Sequence, residues 1–79
     1  MNKAEQILKY LRDSNDDLQN EIELDTELIK SGIVDSFSIT SLVLYLEELF
    51  GVEIDIDERT LRALTSVRAM INAFERQAR

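Results

Sequence analysis

Gly32-Ile33-Val34-Asp35-Ser36-Phe37 leads without a break into Ser38-Ile39-Thr40-Ser41-Leu42-Val43-Leu44-Tyr45-Leu46-Glu47-Glu48-Leu49-Phe50. In the second stretch Ile39, Leu42, Val43, Leu46, Leu49 and Phe50 recur at helical spacing. That spacing predicts an α-helix over about 36–50 with one buried stripe. Asp35 and Ser36 are both N-cap types, which puts the Ser36 hydroxyl at or beside the helix N-terminus. Phe37 and Leu44 fall outside the stripe. At about 100° per residue they lie opposite it, in line with Ser41 and Glu48. Two readings of Ser36 stay open on these residues: a helix cap and nothing more, or a hydroxyl offered to solvent. Phe37 and Leu44 are likewise either isolated surface apolar residues or a contact patch.

Upstream, Ala4, Ile7, Leu8 and Leu11 predict a first helix over 3–12, stopped by Asp13-Ser14-Asn15-Asp16-Asp17, whose side chains compete for backbone hydrogen bonds. Asp13, Asn15 and Asp17 have calcium-loop spacing, but Leu18 stands where glycine is needed and Leu24 where glutamate is needed, so that site is rejected. Residues 15–34 show no sustained helical pattern and form a long first loop, with Leu18, Ile22, Leu24, Leu28, Ile29 and Ile33 as anchors. Gly32 permits a sharp bend just before Asp35.

Downstream, Gly51 is a helix stop. Val52-Glu53-Ile54-Asp55-Ile56-Asp57 alternates like a strand but has no partner strand in the chain. It reads as an extended connector with Val52, Ile54 and Ile56 tucked inward. Asp57 or Glu58 opens a short third helix carrying Leu61 and Leu64. Thr65 or Ser66 caps a last helix with Val67, Met70, Ile71, Phe74 and Ala78 on one side. The expected fold is all-α: a small bundle of three main helices plus one short one, in a single domain over 1–79.

Composition excludes much chemistry. There is no His and no Cys, so no Ser-His or Cys-His nucleophile pair is available, and no metal site is expected. Glycine occurs only at 32 and 51, too few for a P-loop or a dinucleotide fingerprint. A functional Ser36 is therefore a place of attachment rather than an internally activated nucleophile. No apolar run spans a membrane and no signal-peptide pattern is present, so the expected protein is soluble and cytoplasmic, without membrane insertion. Residues 13–58 carry fourteen Asp or Glu and a single base, Lys30, whereas residues 59–79 carry five Arg against Glu75. Such an acidic body repels nucleic acid and attracts basic protein surfaces.

Leu24-Asp25-Thr26-Glu27-Leu28, then Gly32-Ile33-Val34-Asp35-Ser36-Phe37, then Leu46-Glu47-Glu48-Leu49-Phe50-Gly51-Val52-Glu53-Ile54 stand in one register. Together they resemble the acyl carrier proteins and the related peptidyl and aminoacyl carrier domains: the Asp-Thr-x-Leu element, the glycine, the Asp-Ser-Leu attachment motif and the end of the second helix. The resemblance runs over essentially the whole chain. It implies a non-catalytic carrier, a monomer, with 4'-phosphopantetheine transferred from coenzyme A onto Ser36 by a phosphopantetheinyl transferase. Asp35 would support that modification through the transferase's magnesium site. The arm's thiol would hold an acyl or aminoacyl group as a thioester, loaded by a ligase and passed to downstream transferases or synthases.

The resemblance and the helical geometry together point to Phe37, Ser41, Leu44, Glu47 and Glu48 as the partner face. Phe37 stands where the family more usually has leucine, and Ser38 and Ser41 are uncharged where fatty-acid carriers often have acids. These departures lean toward a stand-alone carrier dedicated to another acyl or amino acid. Val43, Leu46, Ile54, Leu61 and Leu64 either line a cargo cleft between the second and third helices or form closed core. The alternative from another class is a small helical interaction module in which Ser36 only caps.

Overall fold

A computed structural model of the chain describes residues 2–15 and 22–76. Among these residues four helices follow in order: α1 (Lys3–Ser14), α2 (Ser38–Phe50), α3 (Glu58–Ala63) and α4 (Val67–Phe74). No strand occurs among the described residues. The all-α expectation of three main helices and one short helix is met among the described residues, and residues 22–37 ahead of α2 carry no helix.

Local capping sets most of the boundaries. The Asn2 side chain accepts from Glu5 N–H at 2.8 Å to start α1. The Asp57 carboxylate accepts from Thr60 N–H at 2.9 Å to start α3, and Ser66 Oγ accepts from Ala69 N–H at 3.0 Å to start α4. Each satisfies a donor that the helix itself leaves open. Helix α1 runs two residues past the expected end. The Lys9–Asp13 ion pair at 2.7 Å spans its last turn, and the Asn15 side chain donates to Leu11 O at 2.8 Å, so the polar run terminates the helix from within. Asp16 and Asp17 of that run, the anchor Leu18 and the last-helix residue Ala78 lie outside the described residues.

The core joins all four helices and the loop. Ile7 and Leu11 of α1, Leu42, Val43, Leu46 and Phe50 of α2, Ala63 and Leu64, and Val67, Met70 and Phe74 of α4 are buried together with Ile22, Leu28, Ile33 and Val34. Tyr45 stacks on Tyr10 with ring centroids 4.3 Å apart and donates its hydroxyl to Gln6 O, tying α2 to α1. Among its described residues, the long first loop has several backbone groups held by other elements. Leu28 N–H donates to Thr65 O at 2.8 Å, Arg68 N–H donates to Leu24 O at 3.0 Å, and the Arg12 guanidinium donates twice to Ile22 O. The Arg68 side chain also grips the Asp25 carboxylate at 2.6 and 3.1 Å. The loop is thus held by α1 on one side and by the α3–α4 junction on the other.

Two expectations about the second half need correction. Ile56 is not tucked in; it is 52% exposed, whereas Val52 and Ile54 are half-buried. The inward register ends after Ile54 because Thr60 Oγ1 donates to Asp55 O and Asp57 takes the extended cap conformation, which lifts the chain over to begin α3. Leu61 is 37% exposed. The buried stripe of α3 runs through Thr60, Ala63 and Leu64, at i, i+3 and i+4, and Leu61 lies one residue off it.

Gly51 ends α2 with φ +69°, and its N–H donates to Glu47 O at 2.9 Å. A β-carbon there would meet no atom within 4 Å, so substitution is opposed by backbone strain and not by a clash. Gly51→Ala should cost about 1–2 kcal/mol, read as a lower urea midpoint with an unchanged slope. Gly51→Asn should lose less.

Three carboxylates lie below the ordinary aspartate value of 3.8. Asp25 is lowered first by the hydrogen bond from Arg68, Asp57 by Thr60 N–H and Asp35 by Ser38 N–H, each against a smaller opposing desolvation. A carboxylate depressed in the folded state binds its proton less readily than in the unfolded chain. Its contribution is therefore complete above the unfolded value near 3.8 and disappears as pH falls through the folded value. Melting temperature should be flat above about pH 5 and fall steadily below about pH 4, which a series of thermal melts will read.

Candidate functional site at the mouth of helix α2

The helix mouth is built by Asp35 and Ser38. Asp35 Oδ1 accepts from Phe37 N–H at 2.9 Å and from Ser38 N–H at 3.0 Å. Ser38 Oγ reaches back and accepts from Asp35 N–H at 2.9 Å. Asp35 O then accepts from Ile39 N–H at 3.0 Å, the first helical bond. This is a reciprocal capping box with aspartate as the cap and serine three residues on. The bonds from Ser38 N–H, Phe37 N–H and the Ser38 hydroxyl hold the Asp35 carboxyl ionised.

Ser36 sits between these two residues and takes no part. It is exposed, and its hydroxyl has no hydrogen-bond partner among the described residues. The reading of Ser36 as a helix cap is therefore corrected: the cap is Asp35. The Asp35-x-x-Ser38 spacing carried that signal, because a capping box needs its second member at the third helical position.

Phe37 is 89% exposed and Leu44 60% exposed, on one outer face with the exposed Ser41 and Glu48. Spacings of four, three and four residues keep these side chains in line. Glu47 departs from this face. It is half-buried, and its Oε2 accepts from Ile54 N–H at 2.8 Å. A shallow groove beside Leu44, Glu47 and Glu48 is completed by Val52, Glu53 and Asp55 of the connector, and sequence reading passed over both of these connector acids.

The five cargo-cleft candidates are dispersed. Val43, Leu46 and Leu64 are closed core, and Leu61 faces solvent. Ile54 borders a cavity of about 290 Å³ between the connector, α3 and α4, lined also by Thr60, Ala63, Ala73 and Phe74. No cluster of three potential metal ligands occurs among the described residues. No described helix is long and apolar enough to cross a membrane.

A small helical domain that holds out, at the start of its second helix, a serine hydroxyl with no partner among the described residues has the form of a carrier domain, one that bears a covalently attached group. The family profile described as PP-binding, phosphopantetheine attachment site, matches residues 5–74, and the chain belongs to this family of acyl and peptidyl carrier proteins. No curated protein and no solved structure gives a significant match to the chain. The family bears a covalent 4'-phosphopantetheine, and carrying that group is the role of this chain. Its carrier domains are generally not catalytic, and they work with a phosphopantetheinyl transferase and with biosynthetic enzymes.

The residues at the helix mouth fit such a group. A phosphodiester link needs an accessible hydroxyl whose loss from the hydrogen-bond network costs the fold nothing, and Ser36 meets both conditions. The positive end of α2 favours an anion. Phe37 and Ser38 N–H are already taken by Asp35, so retention of the group would rest on the covalent bond and not on these amides.

Proposed function

We propose that Ser36 is the attachment residue and that the protein carries acyl or aminoacyl intermediates as thioesters to partner enzymes, without catalysing a reaction itself. The observation that carries this reading is the division of labour at the helix mouth. Asp35 and Ser38 perform the capping, which leaves the Ser36 hydroxyl with no structural duty. The attached arm would supply the thiol that the chain, free of cysteine, does not have.

Asp35, held as a carboxylate next to the acceptor, supports modification. Phe37, Ser41, Leu44 and Glu48 form the face on which the transferase, a loading ligase and downstream transferases or synthases dock in turn. An apolar centre with acidic surroundings suits brief encounters with basic partner surfaces. The test is intact mass after incubation with coenzyme A and a broad-specificity phosphopantetheinyl transferase. A gain of one phosphopantetheine unit is expected, and folded protein that stays unmodified with several transferases would refute the assignment.

A further inference from the structure

Glu47 is the point at which the end of α2 and the connector converge. Its carbonyl accepts from Gly51 N–H at 2.9 Å and from Val52 N–H at 3.3 Å, and its carboxylate accepts from Ile54 N–H at 2.8 Å. The left-handed turn at Gly51 sends the chain back along the helix, which brings an amide seven residues downstream onto the Glu47 side chain. The groove at this end of the helix has two walls. Leu44, Glu47 and Glu48 come from α2, and Val52, Glu53 and Asp55 come from the connector. The Glu47–Ile54 bond joins those walls.

We propose that Glu47 is a positioning residue that latches the connector to α2, so that Glu48, Glu53 and Asp55, and not Glu47, supply the charge that meets a cationic partner. The proposal rests on the carrier reading for its functional consequence but not for the latch itself. A carboxylate whose Oε2 is committed to a backbone amide, on a half-buried side chain, is poorly placed to swing out and pair with an incoming base. Glu48, by contrast, is exposed on the outer face of α2.

Charge and hydrogen-bonding capacity separate cleanly in substitutions. Glu47→Gln removes the charge and keeps an oxygen acceptor. Glu47→Ala removes both. Two readouts are used: amide hydrogen exchange at Ile54, and the rate of modification by a broad-specificity phosphopantetheinyl transferase with coenzyme A at low salt. Glu47→Gln should match wild type within about twofold in both, whereas Glu47→Ala should speed exchange at Ile54 about tenfold or more and slow modification about threefold. Glu48→Gln should slow modification and leave Ile54 exchange unchanged.

The latch is overturned if Glu47→Ala leaves Ile54 protection as it was. It is equally overturned if Glu47→Gln slows modification as much as Glu48→Gln does while exchange stays constant. Wild type that is never modified would refute the carrier reading, and the exchange measurement would still decide the latch.

Discussion

Replacing Ser36 with alanine should abolish the gain of a phosphopantetheine unit and leave melting unchanged. The two halves of this result have separate causes. Modification requires an oxygen at this position, and alanine has none. Stability is insensitive because the hydroxyl is exposed and bonded to nothing among the described residues. Alanine is also the better helix former, so the expected change is within about 0.5 kcal/mol.

A cap would behave otherwise. Asp35→Ala removes the acceptor for Phe37 N–H and Ser38 N–H and should lower the melting temperature. Intact-mass measurement and thermal melts on the two variants therefore give opposite patterns. If Ser36→Ala melted early and Asp35→Ala did not, the division of labour at the helix mouth would be wrong. If Ser36→Ala still gained the unit, the attachment would lie on another hydroxyl.

Leu46→Ala should have the largest effect on stability, about 2–5 kcal/mol. Leu46 is 0% exposed at the centre of α2, and the core around it is drawn from every helix and from the long loop. A domain of this size has roughly 0.05–0.15 kcal/mol of stability per residue, or about 4–12 kcal/mol in total. The variant would therefore lose a large share of that margin. Denaturation in urea should show a much lower midpoint with a similar slope. A loss below about 1 kcal/mol would mean that the side chain faces space which closes easily. In that case a cargo cleft at Leu46 would return to consideration.

What was legible before the fold was known follows local rules. The stripe of α2, its stop at Gly51, and the starts of α3 at Asp57 or Glu58 and of α4 at Thr65 or Ser66, where the structure selects Asp57 and Ser66, all depend on residues within four positions of one another. The outward placement of Phe37 and Leu44 follows from helical periodicity alone. At Asp35-Ser36 the residue types were informative and the choice between them was not, because both are good caps. Ser38, three residues on, made that choice.

Contacts made only after the chain turns back were hidden. Near the end of α2, Glu47 had no local electrostatic reason to be there, since a negative charge is unfavourable at a helix C-terminus. Its reason is Ile54 N–H, which arrives through the reversal at Gly51. The alternation of Val52, Ile54 and Ile56 could not announce that its register would end at Ile54, because the interruption comes from the Thr60 hydroxyl on Asp55 O. The loop anchors Ile22 and Leu28 were visible as apolar residues, but the groups that hold the backbone beside them, Arg12 and Thr65, were not.

By itself the sequence determined the helical class, the family and the candidate attachment serine, because periodicity, capping types and the Asp-Ser motif are written in neighbouring residues. Tertiary structure alone decided that Glu47 is engaged and that the proposed cleft residues are mostly closed core. Each of those depends on which groups from distant parts of the chain occupy the same few ångströms, and spacing along the chain does not contain that information.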